Sequence, residues 1–238
     1  MKNSIYMLYD QTKFLKKSIK SWSIETTPLG AVKIDDFSKI LHRDTTVNVT
    51  FLPGSDPMDT VKICKKLFQN GMNPVPHISA RAIKNLDDLE DFLRNLHEYA
   101  KVKEVLVVAG GKRKPIGDLY NSMQILNSGL LQKYQISKVG VAGHPEGSPD
   151  INNDDIAIAL ENKNIWSEKE GIPVYIETQF AFDAKPVLEW EKNIRIAGNK
   201  LHIHAGIPGP ATIKTLFQFA KSSGVGNSIK MLTKQAMN

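Results

Sequence analysis

Short β-branched runs and longer segments of helical periodicity alternate along almost the whole of this chain. The strand-like runs are Ser21 to Thr27, Thr46 to Leu52, Pro74 to Ser79, Glu104 to Ala109, Lys138 to Ala142, Pro173 to Gln179 and Leu201 to His204. Helical segments fall between them. Pro57 opens one that reaches about Gln69 and stops at Gly71. Asn85 opens a second, with Leu89, Phe92, Leu93 and Leu96 on one face. Asp118 to Tyr134, Asn153 to Gly171, Ala184 to Asn199 and Pro210 to about Ser222 complete the set. Acidic residues at several starts complement the positive helix ends.

Regular β-α alternation implies parallel strands joined by right-handed crossovers. Seven such strands predict an α/β fold of the parallel (β/α)8 TIM-barrel type, lacking or replacing its eighth strand. An open doubly wound sheet is the alternative. The last stretch, Asn227 to Asn238, reads as a short helix and not as an eighth strand. An N-terminal segment or a partner subunit would then cover the open edges, which makes a homo-oligomer an expectation. No long linker, low-complexity run or internal repeat divides the sequence, so residues 1–238 read as one barrel domain.

A chain of 238 residues can bury a core without staples, and its single cysteine, Cys64, can form no intrachain disulfide. Cys64 sits in an amphipathic run and reads as a buried structural thiol. The net charge of +6 is dispersed and no nucleic-acid-binding motif accompanies it, so no nucleic-acid partner is expected. A mild positive field suits an anionic small molecule. No apolar stretch is long enough to span a bilayer, and the start lacks a secretory pattern. The expectation is a soluble cytoplasmic protein with no membrane partner.

In a parallel barrel, chemistry collects at the C-terminal strand ends. Those ends carry Glu25-Thr26-Thr27-Pro28, Pro76-His77-Ile78-Ser79, Ala109-Gly110-Gly111, His144-Pro145-Glu146-Gly147-Ser148-Pro149, Thr178-Gln179-Phe180-Ala181-Phe182-Asp183 and Ala205-Gly206-Ile207-Pro208. In order and spacing, from about Ser21 to Val225, these segments resemble the methylenetetrahydrofolate reductases. That family has a glutamate shortly before prolines, Pro-His-x-Ser/Thr, Arg-Gly-Asp, Tyr-Pro-Glu-x-His-Pro, Thr-Gln-Phe-x-Phe-Asp and Pro-Gly-Ile-x-Pro at the corresponding places.

The resemblance implies an oxidoreductase of one-carbon metabolism that interconverts 5,10-methylenetetrahydrofolate and 5-methyltetrahydrofolate. Glu25 matches the general acid/base, and such an acid works best in a partly dry site that raises its pKa. Gln179 matches the residue that reads the pterin; an amide can both donate to and accept from a pterin edge. Phe180 and Phe182 would wall a flat ring, with Gly111 beside the substrate. His77, Gly110, His144, Glu146 and Ser148 match the flavin pocket. The implied cofactor is FAD, with NAD(P)H as hydride source and a tetrahydrofolate derivative as substrate.

The departures from the family pattern cluster around that flavin. Ala109-Gly110-Gly111 lacks the charged side chains of Arg-Gly-Asp, His144 stands for a tyrosine, and Ser148 for a histidine. On the following helix only Lys163 is basic in the stretch 160–166. A weak, altered or absent FAD site follows. Two further readings stay open: a folate-binding or partner protein without redox activity, and a metal-dependent barrel hydrolase or lyase using His77, His144, His202 and His204. The absence of His-x-His after the first strand argues against the latter, so no metal is expected.

Overall fold

The structure is a computed structural model, and it describes residues 22–51, 54–111, 114–148, 151–209, 212 and 214–216. All seven expected strands are present: β1 (Ser23–Thr26), β2 (Thr46–Val49), β3 (Asn73–Ser79), β4 (Glu104–Val108), β5 (Lys138–Gly143), β6 (Val174–Thr178) and β7 (His202–His204). They form one seven-stranded sheet in the order β1 to β7, and every neighbouring pair is parallel. Two prolines, Pro74 and Pro76, remove N–H donors from the first half of β3. Pairing with β4 starts only past them, at His77 opposite Leu106.

The helices are α1 (Pro28–Val32), α2 (Pro57–Gln69), α3 (Leu86–Ala100), α4 (Ser122–Leu126), α5 (Leu130–Lys133), α6 (Asn153–Glu170) and α7 (Ala184–Ile196). Side-chain caps start most of them: Asp56 accepts from the Met58 N–H, Asn85 from Asp88, Asn152 from Asp155, and Asp183 from Lys185. The segment expected as one helix from Asp118 to Tyr134 is two short ones. An Asn121–Gln124 capping box delays the start, and Gly129 in the left-handed region (φ 73°) separates α4 from α5. The short α1 was not expected. Thr27 caps it and Pro28 occupies its first turn. The expected helix from Pro210 lies outside the described residues except at 212 and 214–216, and Asn227 to Asn238 lies wholly outside them.

Strand alternation sorts the side chains into two faces. Val47, Val49, Ile78, Val105, Val107, Val139, Val141 and Ile176 join the main apolar core with Leu67 of α2, Leu93 and Leu96 of α3, and Trp166 of α6. Trp166 anchors α6 by donating from Nε1 to the Leu126 carbonyl at 3.0 Å. Cys64 is fully buried in this layer, as its position in the run suggested, and burial pushes its thiol pKa up.

The opposite face carries Glu25, Asn48, His77, Glu104, Lys138, Tyr175, Glu177 and His204. Asn48 Nδ2 donates to Glu177 Oε1 at 3.0 Å. Those residues stand on β2 and β6, four ladders apart, which a flat sheet would separate by about 19 Å. The sheet is therefore curled into an open half-barrel with the polar face inside. No ladder joins β1 to β7 among the described residues.

Candidate functional site

Barrel interiors are usually filled by bulky aliphatic side chains, but here polar side chains share the inner face with Val75 and Leu106. The polar ones fall into two groups. At the N-terminal strand ends, Lys138 pairs with Glu104 at 3.1 Å, and its Nζ stands 4.5 Å from the Tyr175 ring centroid. Tyr175 stacks on His204 with centroids 4.3 Å apart. These residues, with Trp22, Arg43 and Asp44, line a cavity of about 450 Å³. A barrel's chemistry is not expected at this end. Burial and the Glu104 and Glu177 charges push the Tyr175 hydroxyl pKa up.

The second group centres on Asn48. Glu25 of β1 is its cross-strand partner, and Glu177 of β6 accepts its amide proton. Asn48 also donates to Ser23 Oγ at 3.3 Å. His77 lies on the same inner face. Burial lowers its imidazole pKa, and the Glu25 carboxylate opposes that shift. Glu177 is the perturbed carboxyl of the site. Burial, then the like charges of Glu25 and Glu104, push its pKa up to about 7; the Asn48 hydrogen bond and Lys138 oppose the rise. Three buried polar atoms of this group have no hydrogen-bond partner: Asn48 Oδ1, His77 Nε2 and Glu177 Oε2.

Glu25 stands at the C-terminal half of β1, as expected, but it is not in a dry pocket. Its side chain is exposed and accepts a 2.6 Å hydrogen bond from Thr50 Oγ1. The dry carboxyl expected at Glu25 is found at Glu177 instead, because β6 has a strand on both sides while, among the described residues, β1 pairs with β2 alone.

The other expected residues divide between the mouth and the interior. Gln179 follows β6, is exposed, and shares a shallow cleft with His144, Pro145, Glu146, Gly147, Phe180 and Ala181. Its N–H donates to the Gly143 carbonyl at 3.2 Å, while Thr178 Oγ1 accepts from the Gly206 N–H at 2.9 Å. Phe180 and Phe182 meet edge to face with centroids 5.8 Å apart, forming one aromatic corner. Ser148 lies in the same β5–α6 loop as His144 and Glu146.

Burial lowers the His144 pKa, helped by the nearby Lys163 ammonium, whose own pKa burial pushes down to about 8. Gly110 takes φ 92°, and a Cβ there would come within 2.0 Å of Ser79 Oγ, so the close turn after β4 requires glycine. Gly111 is exposed and would meet nothing within 4 Å.

His77 is not at the mouth with His144; it lies deeper, with its Nε2 shielded from solvent. Of the residues matched to a flavin pocket, His77 has its Nε2 shielded and Gly110 carries no side chain, whereas His144 and Glu146 line the mouth cleft. Among the described residues, no group of three histidine, cysteine or acidic side chains is placed to hold a metal ion, and no helix is long and apolar enough to cross a membrane.

Asn48, Glu104, Lys138, Tyr175 and Glu177 were missed from sequence. A signal existed: Asn48 lies between two valines, and Tyr175 and Glu177 alternate with Val174 and Ile176. Period-two reading would have turned all three inward.

No protein-family model matches the sequence. A comparison with curated proteins finds similarity to "Toxin YxiD" of Bacillus subtilis (strain 168), 26% identical over 174 residues, or 69% of this chain. The match covers 30% of that protein's length, so the chain spans under a third of the relative it matches.

Proposed function

We propose that this protein handles one-carbon units on tetrahydrofolate, interconverting 5,10-methylenetetrahydrofolate and 5-methyltetrahydrofolate within a (β/α)8-type barrel. The observation that carries the reading is the cleft after β6, where Gln179 lies beside the Phe180–Phe182 corner. Glu25 stands at β1 of the same sheet, held by Thr50.

In the reducing direction, Glu25 as acid protonates the departing amine nitrogen of the methylene bridge. The bridge C–N bond breaks and leaves an iminium carbon. A nicotinamide would supply the hydride that turns this carbon into the methyl group, and the Glu25 carboxylate reclaims a proton from water. Thr50 holds the carboxyl in position by its 2.6 Å hydrogen bond. Gln179 reads the pterin edge with its paired donor and acceptor, and the aromatic corner covers the ring. No step is routed through FAD. The similarity to Toxin YxiD names no residue of this site and enters at no step.

A second reading, folate binding without redox chemistry, is favoured by the exposure of Glu25, which leaves the acid in water. One experiment separates the two. The purified chain is mixed anaerobically with 5-methyltetrahydrofolate, with and without FAD and each nicotinamide, and the folate products are followed by mass. Turnover supports the reductase reading and names its hydride carrier. Tight binding without turnover supports the second reading. Absence of binding overturns both.

A further inference from the structure

A second concave site lies at the other end of the sheet from the Gln179 cleft. Glu104 opens β4 and Lys138 opens β5, so the cavity of about 450 Å³ that they line sits at the N-terminal strand ends. That volume is in the range that takes a small organic molecule. Its wall is built from side chains that hold one another. Glu104 is buried and pairs with Lys138 at 3.1 Å, and Lys138 Nζ stands 4.5 Å from the Tyr175 ring centroid. Tyr175 is 2% exposed and stacks on His204 with centroids 4.3 Å apart. Flat aromatic surface is offered by the His204 ring, backed by Tyr175, and by the half-exposed indole of Trp22.

The charges of the lining discriminate among ligands. Two are cations, Arg43 and Lys138, and two are carboxylates, Asp44 and Glu104. Lys138 and Glu104 satisfy one another. Arg43 and Asp44 are exposed, and neither side chain has a hydrogen-bond or ion-pair partner among the described residues. A ligand bearing only a carboxylate would suit Arg43 and be repelled by Asp44; one bearing only an ammonium meets the reverse. A molecule that carries both charges suits both. Arg43 can hold a carboxylate through two parallel N–H donors, and Asp44 can accept from an ammonium.

We propose that this cavity binds a free amino acid with an aromatic side chain, its carboxylate on Arg43, its ammonium on Asp44 and its ring against Trp22 and His204. Barrel chemistry belongs to the C-terminal strand ends, so the assignment is a binding site and not a second reaction site. It goes beyond the folate reading and does not rest on it: none of these residues lines the Gln179 cleft.

The test is isothermal titration calorimetry on the full chain. L-phenylalanine is the probe, beside three molecules that each lack one of its groups: 3-phenylpropionate without the ammonium, phenethylamine without the carboxylate, and L-alanine without the ring. L-phenylalanine should bind at a single site. Each of the other three should bind about tenfold more weakly or worse, the contribution of one charge-assisted hydrogen bond or of the ring contact. Arg43→Gln should weaken L-phenylalanine about tenfold and leave phenethylamine unchanged. Asp44→Asn should weaken L-phenylalanine to a similar degree and leave 3-phenylpropionate unchanged; asparagine tolerates the left-handed backbone that Asp44 adopts (φ 63°). Both side chains are exposed, so the fold should survive either change. Should a variant lose its circular dichroism spectrum, the three analogues on the wild-type chain decide alone. No heat at millimolar L-phenylalanine overturns the proposal. So does 3-phenylpropionate or phenethylamine binding as tightly as L-phenylalanine, which makes this a site for a single charge. An affinity for L-phenylalanine that is unchanged in both variants puts the ligand elsewhere and overturns it as well.

Discussion

Replacing Glu177 by glutamine should make the protein's stability less sensitive to pH, by an amount that follows from the site. The Glu177 carboxyl moves from an ordinary 4.5 in the unfolded chain to about 7 in the folded one. The folded state therefore holds its proton more tightly, and between those values the native protein binds more protons than the unfolded chain. Stability contributed by the protonated carboxyl is fully present below pH 4.5 and is lost as pH rises through 7.

A displacement of 2.5 units, from 4.5 to 7, corresponds to at most about 3 kcal/mol at 1.36 kcal/mol per unit. Glutamine resembles the neutral acid in shape and keeps an oxygen for the Asn48 amide. At pH 5 the variant should lie within about 1 kcal/mol of wild type, the worth of one altered hydrogen bond. At pH 8 it should be the more stable protein, with the gap between the two having widened by up to about 3 kcal/mol. Urea unfolding followed by circular dichroism at pH 5, 6, 7 and 8 measures this directly. A difference between variant and wild type that stays flat across the four pH values would refute the reasoning, because it would mean that the buried carboxyl titrates no differently folded than unfolded.

Three other outcomes are expected. Glu25→Gln should lower turnover by about 10²-fold or more while the folate dissociation constant changes little; retained turnover in a stopped-flow assay would remove Glu25 from the chemistry. Lys163→Met removes the ammonium that depresses His144, so the His144 ring should titrate at a higher pH in an NMR titration, and an unmoved ring would show that burial alone sets it. Gly140→Ala places a Cβ at 2.6 Å from Leu106 Cδ1 and 2.7 Å from the Tyr175 ring, so it should cost about 1–3 kcal/mol in denaturant unfolding.

The residues that face the apolar layer are legible in the sequence. Val47, Val49, Val105, Val107, Val139 and Val141 mark their strands by composition, and alternation with helical segments dictates parallel pairing. Caps such as Asn85 and Asp183, and the stop at Gly171, are local events that a short stretch of chain decides by its own hydrogen bonding. The break between α4 and α5 was legible in principle as well, since Gly129 signals it.

The interior was not legible in the same way. Asn48 and Glu177 are 129 residues apart, and each alone reads as a polar position in a strand. Only the curl of the sheet brings β2 against β6, and only the ladder order gives β6 two neighbouring strands and β1, among the described residues, one. The sequence by itself determined which residues form strands and helices and which side of each strand is apolar, because those choices rest on neighbours within a few residues. Tertiary structure decided which of two carboxyls is dry and which is wet, because desolvation depends on how many other strands surround a side chain, and that count is absent from any one strand's sequence.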